Sequence, residues 1–309
     1  MAFEGTIGNE ENKKMLISSV KNKNILHSYL FYGTEGIGKK IFAMEFAKMI
    51  LCNNESEQIP CNKCKSCDSF DSNNNPDFFI IEPDGNSIKI DQIRAMQKSV
   101  IEKPIESNKK VFIIDNADTM TKEAQNCMLK TLEEPQEYIV IILIASNENN
   151  ILATVKSRCT KVFFKPLDEN ELKKYMSENY EDVAFDSSSV SLCNGSIAKA
   201  KKIISKSEVL DSVKQIVNDV RYINKLEFLK KNEIFYDNKD DIDLLLEYMY
   251  ISLFEIAKIE KYNMNGYLNA MKIVEQTKQK IRNSNNYDMS IDSMLINIWE
   301  EVNEKNNRG

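Results

Sequence analysis

Hydrophobic positions along the chain change their spacing near residue 166. Before it, short β-branched or aromatic runs at 28–32, 78–82, 111–115, 139–145 and 161–164 alternate with stretches of helical period. Such alternation predicts a parallel sheet with helices on its faces. The helices between the strands are legible as well. The stretch 39–51 places Phe42, Phe46, Met49 and Ile50 on one stripe. Asp91 is expected to cap a helix bearing Ile93, Met96 and Val100. Thr121 is expected to open another, with Ala124, Cys127, Met128, Leu129 and Leu132 inward. These stripes of Met and Phe read as core packing.

Beyond Pro166 the pattern is helical throughout, with helices expected at 169–178, 187–192, 196–205, 209–222, 240–261, 267–283 and 290–302. All six prolines lie at or before Pro166, and only Gly195, Gly266 and Gly309 follow it among the glycines. The Asn194-Gly195-Ser196 turn separates two short helices. The chain is therefore expected to divide into an α/β domain over 1–165, a small helical domain over 166–205 and an all-helical domain over 206–309. The last carries stripes such as Leu245, Met249, Leu253 and Ile256.

Composition narrows the class. With 42% hydrophobic and 28% charged residues in 309, the chain suits a soluble protein of two or three domains. No apolar stretch is long enough to cross a bilayer, and Met1 to Glu10 lacks the basic start and apolar run of a signal peptide, so a cytoplasmic protein is expected. A net charge of -6 argues against a surface that coats nucleic acid and confines any DNA contact to a local patch. His27 is the single histidine, which leaves little room for His-rich metal sites or a Ser-His-Asp triad.

Gly33-Thr34-Glu35-Gly36-Ile37-Gly38-Lys39-Lys40 follows the first strand and opens the first long helix, the context a phosphate-binding loop requires. The glycines let backbone N–H groups turn toward phosphate oxygens, the helix dipole favours anions, and Lys39 reaches the terminal phosphates. The next position departs from the pattern. A working loop has Ser or Thr there to ligate Mg²⁺, whereas Lys40 brings its own cation. Val111 to Ile114 then run into Asp115, the residue expected to hold Mg²⁺ through water. Asn116 follows, where a hydrolysing site needs a carboxylate to polarise the attacking water.

Seven cysteines in a reducing compartment are read first as metal ligands or buried thiols. Cys52, Cys61, Cys64 and Cys67, spaced C-x8-C-x2-C-x2-C in a polar insert, suit a closed tetrahedral structural Zn²⁺ site. An iron–sulfur cluster or four unrelated thiols are the alternatives. Cys127 and Cys193 read as small buried hydrophobes. Arginine is scarce: only five occur among 41 basic residues, so Arg158 within Ser157-Arg158-Cys159 marks a place where a planar, permanently charged group was kept. A surface salt bridge is the plainer reading of it.

Four segments together resemble the bacterial clamp-loader family: His27-Ser28-Tyr29-Leu30-Phe31-Tyr32-Gly33, the four-cysteine insert, Met128-Leu129-Lys130-Thr131-Leu132-Glu133-Glu134-Pro135, and Thr154-Val155-Lys156-Ser157-Arg158-Cys159. The resemblance covers nearly the whole first domain and continues through Cys193-Asn194-Gly195-Ser196. Further on it rests on composition and helical pattern. It implies an AAA+ P-loop domain with a zinc-binding insert, a small helical lid domain and a helical collar that joins subunits into a pentameric ring. The implied partners are ATP-hydrolysing motor (tau/gamma-type) subunits, a delta subunit, the sliding clamp and primed DNA, with no membrane.

Within that family a motor needs both groups that Lys40 and Asn116 replace. A ring-closing subunit can lose them and still present an arginine, here Arg158, in trans to its neighbour's ATP. A chain stopping soon after Trp299 and Val302 fits the second role. On that reading Gly33, Gly36, Gly38, Lys39, Lys40 and Asp115 form a degenerate site that holds ATP or ADP without hydrolysing it. The competing readings are a diverged ATP-hydrolysing subunit or other P-loop ATPase, and a zinc-containing DNA-binding module. The second suffers from the acidic balance and from having only Lys63 and Lys65 near the cysteines.

Overall fold

The computed structural model describes residues 2–3, 5–54, 59–180, 187–260, 263–283 and 286–303. Its chain forms two compact units, Met1–Tyr175 with Gly195–Ala198, and Met176–Asn194 with Lys199–Gly309.

The first unit is built on five parallel strands, β1 (Ser28–Tyr32), β2 (Phe78–Ile81), β3 (Lys110–Ile114), β4 (Ile139–Ala145) and β5 (Thr160–Phe163), in the order β2-β3-β4-β1-β5. Each lies within one residue of its expected bounds. The three central strands are buried on both faces, which explains their unbroken apolar runs. Alternate side chains feed two separate cores. Tyr29, Phe31, Val111, Ile113, Val140, Ile142 and Ile144 point to one face, where Phe42 and Phe46 of a covering helix meet them. Leu30, Phe112, Ile114, Ile141 and Leu143 point to the other, against Ile93, Met96, Met128 and Leu132.

The helices of this unit are α1 (Glu10–Lys21), α2 (Lys39–Leu51), α3 (Lys65–Asp71), α4 (Ile90–Ile101), α5 (Lys122–Glu133) and α6 (Ala153–Lys156), followed by α7 (Glu169–Asn179), which runs into the second unit. Thr121 caps α5 as expected, its hydroxyl accepting from the Ala124 N–H at 3.2 Å. Cys127 and Leu129, expected inward on that helix, are only half-buried.

The expected cap at Asp91 is corrected. Ile88 is held extended by Thr119 and Thr121, so the helix starts at Ile90, Lys89 takes the cap position and Asp91 falls in the first turn. There its carboxylate still favours the helix dipole. Helix α1 has no counterpart among the expected helices. It buries only Leu16 and Val20, and Asn9 before it is left-handed (φ 52°) without a capping bond. The Asn9 amide instead clamps the Lys165 peptide, donating to its oxygen at 3.0 Å and accepting from its N–H at 2.8 Å.

The second unit is helical. It contains α8 (Ser187–Cys193), most of α9 (Ile197–Ser205), α10 (Ser207–Asp219), α11 (Lys225–Leu229), α12 (Glu233–Asp237), α13 (Ile242–Ile259), α14 (Met264–Asn283) and α15 (Tyr287–Asn303). Helix α13 is its centre, with Leu245, Met249 and Leu253 fully buried and Ile256 half-buried at the edge of the expected stripe. Among the described residues no helix is long and apolar enough to cross a membrane.

Candidate functional site

A parallel sheet has two chemically different rims, and its strand order decides which loops meet at each. Because β1 lies between β4 and β5, the chain leaves β1 for the far edge and crosses back over it, opening a crevice at the carboxyl ends of the strands. The loop 33–38 leaves β1 there, Asp115 ends β3, and Ser146 follows β4.

The loop has the backbone that phosphate binding requires. Gly36 is left-handed (φ 77°), and a Cβ on it would lie 2.3 Å from Ser196 Oγ and 2.8 Å from Ala198 Cβ. The Ala198 N–H donates to the Gly36 oxygen at 3.2 Å, so the turn is pinned where only glycine fits. Gly33, after β1, would place a Cβ 2.3 Å from the Phe164 oxygen. Gly38 caps α2 with φ 93°.

The two lysines that open α2 turn to different partners, Lys39 into the loop and Lys40 toward the ends of β2 and β3. Lys39 is 5% exposed, and its Nζ donates to the Gly33 oxygen at 2.6 Å and the Thr34 oxygen at 2.7 Å, with Ser146 Oγ at 3.4 Å. Burial lowers its pKa, and the charges of Asp118, Glu35 and Asp115 restore only part of that loss. Lys40 Nζ lies 3.0 Å from Asp115 Oδ2 and also donates to Glu82 Oε1. Burial pulls its pKa down, but the bonds to Glu82 and Asp115 outweigh that and raise it.

The carboxylate expected to hold Mg²⁺ thus faces an ammonium carried by the chain itself. A hydroxyl ligand at position 40 is absent from the sequence, so the residues present do not fit the usual magnesium arrangement. Asn116 is exposed and left-handed (φ 50°), beyond the end of β3. Asp118 accepts the Asn147 N–H at 2.9 Å through one oxygen, while the other is buried with no hydrogen-bond partner among the described residues.

Arg158 stands on the opposite rim, just before β5. Its backbone oxygen accepts from Ser28 Oγ at 2.6 Å, at the start of β1. Five residues of extended chain separate Ser28 from Gly33, roughly 16 Å at the usual rise per residue. The guanidinium pairs with Glu133 at 2.6 Å and donates to the Thr154 oxygen at 2.8 Å and Ser157 Oγ at 3.3 Å, with its side chain 34% exposed.

The four cysteines of the insert do come together. Their sulfurs all lie within 4.8 Å of one another, and Cys61 and Cys67 are 4.0 Å apart. Four thiolates at the usual Zn–S distance would sit roughly 3.8 Å apart, so the set fits a tetrahedral ion with little movement. Burial pushes the Cys61 thiol up, but bonds from the Lys63 and Cys64 backbone and the neighbouring thiols overcome it and bring its pKa to about 6. Burial raises the Cys52 and Cys67 thiols instead, so without an ion only Cys61 of these three is biased toward the thiolate that ligation needs. The insert is stitched to the end of α2 and to the loop before β3 by Ser66, whose hydroxyl donates to the Leu51 oxygen at 2.8 Å and meets Ser107 Oγ at 2.9 Å.

The geometry adds residues that sequence reasoning missed. Glu82 and Asp118 shape the lysine environment, and Glu133 holds Arg158. The available signal for Glu82 was the same as for Asp115, an acidic residue directly after an apolar strand.

Comparison with known proteins agrees with this geometry. Residues 8–168 match the family model described as DNA polymerase III, delta subunit. The chain is 38% identical over 165 residues to the DNA polymerase III subunit delta' of Bacillus subtilis, covering 53% of this chain and 50% of that protein. It is 32% identical over 176 residues to the subunit gamma/tau of Mycoplasma pneumoniae, covering 57% and 26%. The matched stretch thus spans half or less of these relatives. A gamma subunit-related protein of DNA polymerase III from Thermotoga maritima shares the fold, with a TM-score of 0.51 and 18% identity over 93% of this chain and 99% of that one. On the strength of the 8–168 match and the delta' relative, this chain belongs to the DNA polymerase III delta-subunit family.

Proposed function

We propose that the chain is the delta-prime stator of a bacterial clamp loader, unable to hydrolyse ATP itself and supplying Arg158 in trans to a neighbouring motor subunit's ATP. The observation that carries this reading is the ion pair of Lys40 with Asp115, 3.0 Å long, which sets an ammonium against the carboxylate that a motor would use for Mg²⁺. Asn116 removes the second requirement, since an amide cannot act as a base. Arg158 adds independent support. A side chain on the amino rim is remote from its own loop, and a partner surface is what it faces most easily.

The remaining parts of the reading follow the family. Residues 1–165, 166–205 and 206–309 act as the AAA+ domain, the lid and the collar. Cys52, Cys61, Cys64 and Cys67 hold one structural Zn²⁺. The chain works in the cytoplasm, in a pentameric ring with motor (tau/gamma) and delta subunits that loads the sliding clamp onto primed DNA.

One observation favours a second reading: the loop from Gly33 to Lys39 is complete and the gamma/tau similarity is close, as for a diverged motor. Steady-state ATPase measurement separates the two. The isolated chain should show no turnover above background. Turnover by the contaminant-free chain, abolished by Lys39→Ala, would falsify the stator assignment.

A further inference from the structure

Three places in the chain set an acid or amide side chain directly before a glycine: Asp84-Gly85, Asn194-Gly195 and Asn265-Gly266. In such a pair the glycine nitrogen can attack the side-chain carbonyl carbon and close a five-membered imide, because no Cβ on the second residue blocks the approach. The attack requires rotation of the backbone at the first residue and a glycine N–H that no acceptor holds. The sequence does not rank the three pairs, but the fold does.

Two of them are held in place. A Cβ on Gly195 would lie 2.5 Å from both the Leu167 oxygen and Pro166 Cβ, and its own oxygen accepts from the Leu167 N–H at 3.2 Å. The Asn194 N–H donates to the Ser191 oxygen at 3.3 Å. Asn265 and Gly266 lie in the first turn of α14, where a Cβ on Gly266 would come 2.5 Å from Asn263 Oδ1 and 2.7 Å from the Glu301 oxygen. A peptide packed in this way moves only when its surroundings open.

Asp84 is in the reverse situation. It stands in an exposed turn between β2 and α4, closed by the Asp84 N–H donating to the Ser87 oxygen at 3.2 Å. Gly85 is left-handed (φ 70°), a Cβ on it would meet nothing within 4 Å, and among the described residues its N–H has no acceptor. The Asp84 side chain is 77% exposed, and its ion pair with Lys89, 3.4 Å long, is solvated on both sides. Such a pair restrains the carboxylate little.

We propose that Asp84 is a site of spontaneous isomerisation to isoaspartate and, once isomerised, of carboxyl methylation by an isoaspartyl-directed methyltransferase that uses S-adenosylmethionine. The Gly85 nitrogen bonds to Asp84 Cγ and gives up its proton, while a carboxyl oxygen leaves as water. Water then cleaves the imide between that nitrogen and the main-chain carbonyl carbon of Asp84. Gly85 is left linked through Cγ, and the former main-chain carbonyl becomes a free carboxylate on Cα. One of its oxygens takes the methyl group from the sulfonium and releases S-adenosylhomocysteine. One water leaves and one returns, so isomerisation does not change the mass of the chain. The main chain gains a carbon and the carboxylate arm loses one, so neither the bond to Ser87 nor the pair with Lys89 keeps its geometry.

Ageing the full-length chain in warm neutral buffer, folded and in guanidinium, tests this directly. Isoaspartate is read by methyl transfer from radiolabelled S-adenosylmethionine with a purified isoaspartyl methyltransferase, and its position by peptide mapping. In the folded chain, label should rise with age, be confined to the peptide that bears Asp84 and accumulate there at nearly the unfolded rate. Deamidation at Asn194 and Asn265 should be slower in the folded chain than in the unfolded one by about tenfold or more, since each must first open locally. Asp84→Glu keeps the charge but would have to close a six-membered ring, so it should lose the label and keep the melting temperature. A folded chain without label while the unfolded chain is labelled at Asp84, label that persists in Asp84→Glu, or deamidation at Asn194 or Asn265 ahead of Asp84 would each overturn the proposal.

Discussion

The two rims of the sheet carry the same kind of charge in opposite states. On the carboxyl rim, Lys39 is enclosed by its own loop and Lys40 by two carboxylates, so each cation already has a fixed place. On the amino rim, Arg158 is held by one carboxylate at 2.6 Å and two local oxygens, with a third of its side chain in solvent. An exposed ion pair of this kind contributes only about 0–1 kcal/mol, so exchanging Glu133 for another anion costs little. The lesson is that charge type alone does not mark function. What differs is whether the cation's partner can be replaced.

The largest effect should come from the insert, which shares the amino rim: α2 runs back from the phosphate loop and ends at Leu51, beside Ser66. Structural zinc in short peptides is worth about 10 to 16 kcal/mol of apparent binding free energy at neutral pH. Chelation, or Cys67→Ser, should therefore release the metal and open 52–67 to protease while the sheet keeps its melting transition. Metal analysis of the purified chain should give one zinc per chain. If metal loss also abolished nucleotide binding at the other rim, the two rims would not be separable and the comparison would break.

Arg158→Ala comes next. An arginine supplied from outside contributes about 10³ to 10⁵ in rate in small GTPases, and if Arg158 acts in trans as proposed, an effect of that order is expected at the neighbouring site it would serve. In the proposed ring, where several motor sites would share the work, the bulk rate should fall by much less. Arg158→Lys should not rescue it, since an ammonium lacks the planar fork. A thermal melt should move little. A large loss of stability with unchanged clamp- and DNA-stimulated hydrolysis would return Arg158 to the role of a plain salt bridge.

Much of the comparison was legible in the sequence, for reasons that differ by residue. Strands such as Ile139–Ala145 were plain because both their faces are buried and every side chain is apolar. The four cysteines were plain as a candidate ligand set because metal ligation would fix both spacing and residue type, and their sulfurs do converge. Helix α1 was not, since two buried side chains in twelve residues leave no stripe to see and Asn9 is engaged with Lys165. The start of α4 was misplaced because a long-range backbone contact of Ile88 sets it, whereas Asp91 offered a local signal. The motif placed Lys40 and Asp115 each at a magnesium position, and their direct pairing is what the structure adds. Glu82 as the second partner of Lys40 depends on β2 and β3 being neighbours, which spacing along the chain does not report.

A smaller effect sharpens the picture of the closed rim. Gly36→Ala would put a methyl group 2.3 Å from Ser196 Oγ in a left-handed conformation. Strain of this kind costs on the order of 1–3 kcal/mol. The chain's melting temperature should drop, and a compensating Ser196→Gly should recover part of it. No drop would mean that the loop opens freely, and the carboxyl rim would be as exchangeable as the amino rim.

The smallest effect is the pH dependence of the two lysines, and it separates them by sign. The folded pKa of Lys39 is lowered from 10.5, so between the two values the unfolded chain binds more protons and stability rises with pH. The folded pKa of Lys40 is raised above 10.5. Its contribution is full below the unfolded value and is lost as pH climbs through the folded one. Tyr236, Tyr267 and Tyr287, all pushed up to about 12, also make folding less favourable as pH passes 10, so the unmodified chain alone cannot separate the terms. Differences between variants can. Unfolding in denaturant at stepped alkaline pH should show Lys39→Met gaining relative stability at neutral pH and losing that gain toward 10.5. Lys40→Ser should lose relative stability at neutral pH and recover it above 10.5. If both differences ran the same way, the two ammoniums would share one environment, and the distinction between a buried, under-compensated cation and a paired one would fail.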